Sequence, residues 1–278
     1  MIRKILIQLI VLISININAQ EEVEIYLNAG IRATQLQNYN LALKEFSKVI
    51  KLDSLNERAY LNRAITYADS GDLEMCISDL NQLLIINPKN AEAYAYKSNA
   101  QYAQYQSELA LISIEKAIEL KPKDYRYLSQ RAMINFDLGY NDLAIQDYLN
   151  VLEVEPTDAN AYYNLGYIYE QKKNYDKAFN QYSLAIEYNP QYEKAYYQRG
   201  ILNRKLEQFE EAKRDYSKVL EININNSEAY LNLGLIYIYE GDKEKGCGNL
   251  LKAYNNGNIQ AIEVINEYCS RRYKKLTE

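Results

Sequence analysis

The chain has 278 residues, 25% of them charged and 48% hydrophobic, the balance of an ordinary soluble folded protein. A formal net charge of −5 argues against a nucleic-acid binder, which needs a basic face for phosphates. Four prolines and ten glycines are too few for an all-β chain with many tight turns, and a histidine count of 0 removes Ser-His-Asp and Cys-His nucleophilic sites and most zinc sites.

The first element is a leader. Arg3 and Lys4 form a short basic region, Ile5 to Ile17 is largely apolar, and Ala19 offers a small residue before a cut. Residues 1–19 are therefore expected to be a signal peptide, with Gln20 starting a mature protein that is periplasmic or secreted. The apolar stretch is short for a membrane span, which takes ~20 residues. No cysteine lies near the cut, which disfavours a lipid anchor. Loss of Arg3 and Lys4 takes the formal charge from −5 to −7.

From Val23 onward the chain repeats itself. Pro88, Pro122, Pro156 and Pro190 are spaced 34 residues apart, which sets units starting at 23, 57, 91, 125, 159, 193 and 227. The fourth position of each unit is Tyr26, Tyr60, Tyr94, Leu128, Tyr162, Tyr196 and Tyr230. The eighth is Gly30, Ala64, Ser98, Ala132, Gly166, Gly200 and Gly234; the twentieth is Ala42, Cys76, Ala110, Ala144, Ala178, Ala212 and Gly246. The twenty-fourth is Phe46, Leu80, Ile114, Tyr148, Tyr182, Tyr216 and Leu250. Apolar residues recur at three- and four-residue intervals within each half, so each unit reads as two helices. Small residues at the eighth and twentieth positions let the backbones approach, and the fourth-position aromatic is expected to fill the space beside them. Gly71-Asp72, Gly139 and Gly241-Asp242 mark turns between the halves, and the proline ends the second helix.

This pattern resembles the tetratricopeptide repeat family over residues 23 to about 258, nearly the whole mature chain. Tyr stands where the family favours Trp, Ser54, Ile224 and Asn258 replace the proline, and the third unit is the loosest match, with Ser98 and Gln101. The resemblance implies an all-α, right-handed superhelical solenoid of seven hairpins, whose apolar faces are buried only by stacking. A capping helix is expected over Ile259–Tyr273, with Ile259, Ile262, Ile265 and Cys269 as its apolar stripe and a basic tail of Arg271, Arg272, Lys274 and Lys275 after it.

Two further patterns look structural. Arg63, Arg131 and Arg199 occupy the seventh position of the second, fourth and sixth units, and Asp79, Asp147 and Asp215 the twenty-third of the same units. An Arg–Asp bridge across each of these hairpins is expected, because the guanidinium fork can grip a carboxylate through two bonds. Cys76 stands in for a small core residue, whereas Cys247 and Cys269 flank the Asn256-Gly257-Asn258 turn at similar distances and are a candidate disulfide pinning the cap.

Function is read from the surface. There is no CxxC pair, Gly-rich phosphate loop or GxSxG elbow, and no insertion remains to build a pocket, so no enzyme, metal or cofactor is expected. In the family the first helix of each unit lines the concave face. Its sixth position is Asn28, Asn62, Tyr96, Gln130, Asn164, Gln198 and Asn232. Amides offer both donor and acceptor to a peptide backbone without reading its sequence. The run is similar to the asparagine ladder of the O-linked N-acetylglucosamine transferases, whose catalytic domain has no counterpart here. Tyr163, Tyr167 and Tyr197 add aromatic surface beside it, and Lys194, Arg204 and Lys205 are a basic cluster suited to an acidic segment. The leading expectation is a scaffold of the cell envelope holding an extended or helical protein segment, with no nucleic-acid partner and no membrane span after cleavage. The alternative is a structural spacer or self-associating component without a groove ligand; an enzyme or a carbohydrate-binding module comes third.

Overall fold

The computed structural model describes residues 20–269. The expected signal peptide, the basic tail and residues 270–273 of the expected cap lie outside them. Among the described residues the chain is all-α. Helices α1 (20–35), α2 (Tyr39–Leu52), α3 (Glu57–Asp69), α4 (Leu73–Ile86), α5 (Ala91–Ala103), α6 (Ser107–Leu120) and α7 (Tyr125–Asp137) are followed by α8 (Asn141–Val154). Then come α9 (Ala159–Gln171), α10 (Tyr175–Tyr188), α11 (Glu193–Lys205), α12 (Phe209–Ile222), α13 (Ser227–Tyr239), α14 (Lys243–Asn255) and α15 (Ala261–Tyr268). None is long and apolar enough to cross a membrane. The chain divides into two compact units, one ending at Asp147 and one starting at Tyr148.

The repeat supplies its own stops and starts. Asn56, Asn90 and Asn226 end one hairpin and accept from the backbone N–H three residues on, capping α3, α5 and α13; Asp124 caps α7 by accepting from the N–H of Arg126, and Asp158 caps α9 by accepting from those of Asn160 and Ala161. Asn38, Asp72, Asn174 and Asp242 cap second helices in the same way. The fifteenth position turns each hairpin with positive φ. Glycine takes it at Gly71, Gly139 and Gly241, but Gln37, Tyr105, Lys173 and Glu207 hold it at φ of 57–60°.

Within a hairpin the core forms where the eighth and twenty-fourth positions meet. A Cβ added to Gly30, Gly166 or Gly200 would fall 2.5, 2.7 or 2.9 Å from the ring of Phe46, Tyr182 or Tyr216. These three rings are fully buried. The twenty-fourth-position side chain thus fills the gap beside the small residue. The fourth-position tyrosines do not: Tyr26, Tyr60, Tyr94, Tyr162 and Tyr196 are only half-buried, while Leu128 and Tyr230 are buried. The third hairpin, loosest in sequence, substitutes polar bonds for close packing. Ser98 Oγ donates to the Ala110 carbonyl at 2.7 Å and Ser113 Oγ to Gln101 Oε1 at 2.6 Å, all buried.

The Arg–Asp bridges are present in all three hairpins. Arg63 grips Asp79 through Nε and Nη2, both at 2.7 Å; Arg131 grips Asp147 at 2.9 and 2.6 Å; Arg199 grips Asp215 at 3.0 and 2.7 Å. The three aspartates are buried. Arg63 and Arg199 also donate Nη1 to Ser47 and Ser183 of the preceding second helix, so each ties two hairpins together.

At the C-terminal end α15 packs on the last hairpin. Ala261, Ile265 and Cys269 join Tyr230, Leu231, Cys247, Leu250 and Ala253 in one buried cluster. The helix starts at Ala261 rather than Ile259, which is 76% exposed and takes no part in the stripe. The turn after α14 consumes residues 256–260, and Asn258 is held by Glu228 at 2.8 Å. Cys247 and Cys269 are joined by a disulfide with Cα atoms 5.8 Å apart. Cys76 is free and buried, and burial pushes its thiol up to about 11.

Candidate functional site

Second, sixth and ninth positions share one side of each first helix because they are four and three residues apart. In the compact unit that ends at Asp147 this brings together Glu92, Ala95, Tyr96 and Asn99 from α5 with Arg126, Tyr127 and Gln130 from α7, around a cleft of about 170 Å³. Asn99 is exposed. Arg126 is held by Asp124 through two bonds at 2.9 and 2.7 Å, which raises its pKa and keeps the guanidinium charged at the rim. Burial raises the pKa of Tyr96. Burial lowers that of Lys97.

The sixth-position amides are not a uniform row of free groups. Asn28 is exposed and lines a cleft of about 410 Å³ with Ile25, Arg32, Leu36 and Leu41. Asn62 donates to the Arg58 carbonyl of its own helix at 2.7 Å, and Gln130 donates to the Ala95 carbonyl of the preceding first helix at 3.1 Å. Asn164 is half-buried. In the compact unit that starts at Tyr148 the fifth-position Tyr197 meets the next sixth-position amide. Asn232 Nδ2 reaches the Tyr197 hydroxyl at 3.3 Å. Asn232 is only 7% exposed, with a second bond to the Glu228 carbonyl at 2.9 Å, so its amide fastens the protein internally.

The tyrosines of this face serve the protein as much as any ligand. Tyr163 packs on Tyr182 and Tyr192 with ring centres 5.9 and 5.3 Å apart, and Tyr197 on Tyr216 at 5.9 Å. Burial raises the pKa of Tyr163 and Tyr197 and pushes Tyr192 up to about 12. Tyr167 is half-buried. Of the expected basic cluster, Arg204 and Lys205 line a cleft of about 370 Å³ with Glu207, Phe209, Leu235, Ile236 and Tyr239, while exposed Lys194 is not part of its wall. Glu92 and Arg126 were not singled out by sequence, although their second-position register was the available signal. No group of acidic or sulfur side chains suited to a metal occurs among the described residues.

Family models agree with this geometry. A TPR repeat model matches residues 132–173, one tetratricopeptide repeat model matches 159–192 and 193–226, and another matches 57–90 and 227–255. The chain belongs to the tetratricopeptide repeat family. A tetratricopeptide repeat protein from Parabacteroides merdae has a TM-score of 0.68 at 20% identity, covering 92% of this chain and 99% of that one. The C-terminal part of a repeat-containing protein from Cytophaga hutchinsonii gives 0.67 at 20% identity, with 85% and 98% covered. YrrB, described as a TPR protein with an unusual peptide-binding site, gives 0.54 at 19% identity, with 71% and 97% covered. At these identities the likeness establishes the fold. No curated protein matches the chain.

Proposed function

We propose that this repeat scaffold works without chemistry of its own, in the cell envelope, by holding an extended or helical segment of a partner protein on its first-helix faces. The observation that carries the reading is the α5–α7 cleft. There Tyr96, Asn99 and Gln130 present hydroxyl and amide groups between a carboxylate, Glu92, and a guanidinium, Arg126. Such a wall can meet the alternating donors and acceptors of a peptide backbone, with a charge of each sign to orient it. The peptide-binding site named for YrrB lends the reading support on the same fold. An envelope location rests on the leader at residues 1–19 and on a cystine at the C-terminal end. The competing reading is a spacer or self-associating component with an empty groove.

The experiment compares partner capture from the envelope fraction by the wild-type protein and by Tyr96→Ala/Asn99→Ala. Loss of the captured protein, with the helical spectrum unchanged, is the expected result. Undiminished capture would refute groove binding. N-terminal sequencing of the protein recovered from that fraction should begin at Gln20, and a retained Met1 would refute the leader.

A further inference from the structure

The nineteenth position, in the first turn of each second helix, separates the two units. It is Leu41, Met75, Leu109 and Leu143 in the first, exposed by 43, 41, 49 and 59%, whereas the second unit carries Lys177, Glu211 and Lys245 there. The fold therefore does not need an apolar residue at this position, since three hairpins are built with charges in it. Four large apolar side chains in register, each half in water, are surplus to packing. The neighbouring turns repeat the contrast. Tyr105 is 94% exposed and held at φ 60°, and Tyr140 is half in water, where the second unit has Lys173 and Asn174 in one hairpin and Glu207 and Gln208 in the next.

The charges beside the α4, α6 and α8 members of this row are acidic; Leu41 alone has cations near it, sharing a cleft with Arg32 and lying one turn before Lys44 on α2. Glu74, Glu108 and Asp142 directly precede Met75, Leu109 and Leu143. Glu74 and Glu108 form no ion pair among the described residues. Helices α4 and α8 contain no lysine or arginine, and the one lysine of α6, Lys116, is paired with Glu119 at 2.6 Å. A cleft of about 500 Å³ at the second turn is lined by Asp72 and Glu74 together with Ser70, Gly71, Leu73 and Gln104.

We propose that this row is a second docking surface, taking an amphipathic helix of a partner protein whose apolar stripe is bordered by Lys and Arg. Charge selects that occupant. An anionic lipid surface would meet the carboxylates with the wrong sign. A second copy docking this row by two-fold symmetry would set the acidic residues of one copy against those of the other. A basic-bordered helix buries the leucines and the methionine and neutralises the glutamates.

The test uses the full mature chain and a synthetic helix of about 21 residues, with leucine at the a and d positions of each heptad and lysine beside them, plus a twin with glutamate in place of lysine. Binding is read by fluorescence anisotropy. The lysine peptide should bind, and Met75→Gln/Leu109→Gln should weaken it at least about tenfold. Glu74→Gln/Glu108→Gln, wholly on the surface, should weaken it about threefold at low salt and flatten its salt dependence. Tyr96→Ala/Asn99→Ala should leave it unchanged, which separates this surface from the groove. Equal binding of the glutamate twin, or undiminished binding by both row variants, would overturn the proposal. So would a wild-type dimer abolished by Met75→Gln/Leu109→Gln, or phosphatidylglycerol vesicles retained by the wild type and released by that variant.

Discussion

Arg63 offers the sharpest test of what holds a hairpin together. Replacing it with leucine removes two bonds of 2.7 Å to Asp79 and one of 2.9 Å to Ser47. The Asp79 carboxylate, 3% exposed, is then left in a site closed to water. Removing one partner of a buried ion pair typically costs about 3–5 kcal/mol, most of it the penalty on the charge left behind. The seventh hairpin shows how the site can be built without charge, since Leu233 and Asn249 stand at the equivalent positions. Arg63→Leu/Asp79→Asn should therefore recover at least about half of the loss. Urea unfolding gives the magnitude, and hydrogen exchange should place the weakening in α3 and α4, because each repeat depends mainly on its neighbours. A loss below about 1 kcal/mol, the range of exposed pairs, would refute the argument. So would a double variant as unstable as the single one.

Three other outcomes follow from the geometry. Gly166→Ala places a Cβ 2.7 Å from the buried Tyr182 ring and should cost about 1–3 kcal/mol by overpacking. Gly71→Ala meets no atom within 4 Å and should cost about 1 kcal/mol, from the backbone at φ +89° alone; thermal melts of both variants separate the two causes, and equal melting of Gly166→Ala and wild type would refute the close approach. Thiol titration at neutral pH should find none in the native chain, because the Cys76 thiol is buried and held up at about 11. It should find one after unfolding and three after reduction; three before reduction would refute the cystine.

Much of the scaffold was legible because its signals are periodic. The small residues of the eighth and twentieth positions reflect a constraint that recurs in every hairpin, and the proline one that recurs in four of them. The Arg–Asp bridges were legible for the same reason, since both partners appear and vanish together. The Ser47 and Ser183 contacts were not, because a lone serine on a second helix carries no periodic mark. The cap was misjudged at its start, where the turn after α14 leaves Ile259 in water. The amide row was visible as a pattern but its state was not. Whether an amide faces outward or fastens two helices depends on its neighbour one unit back, as Tyr197 does for Asn232. Position alone does not encode that.

The hairpin turns have a practical consequence. Their tip residue is Gln37, Gly71, Tyr105, Gly139, Lys173, Glu207 and Gly241 in turn, a set with no shared chemistry. The three glycines among them have open space around them. What is conserved from tip to tip is a backbone shape, and the side chain is free to vary. These knuckles are therefore the sites at which a peptide tag, a fluorophore or an inserted module can be displayed at a chosen hairpin while the packing beneath stays as it is.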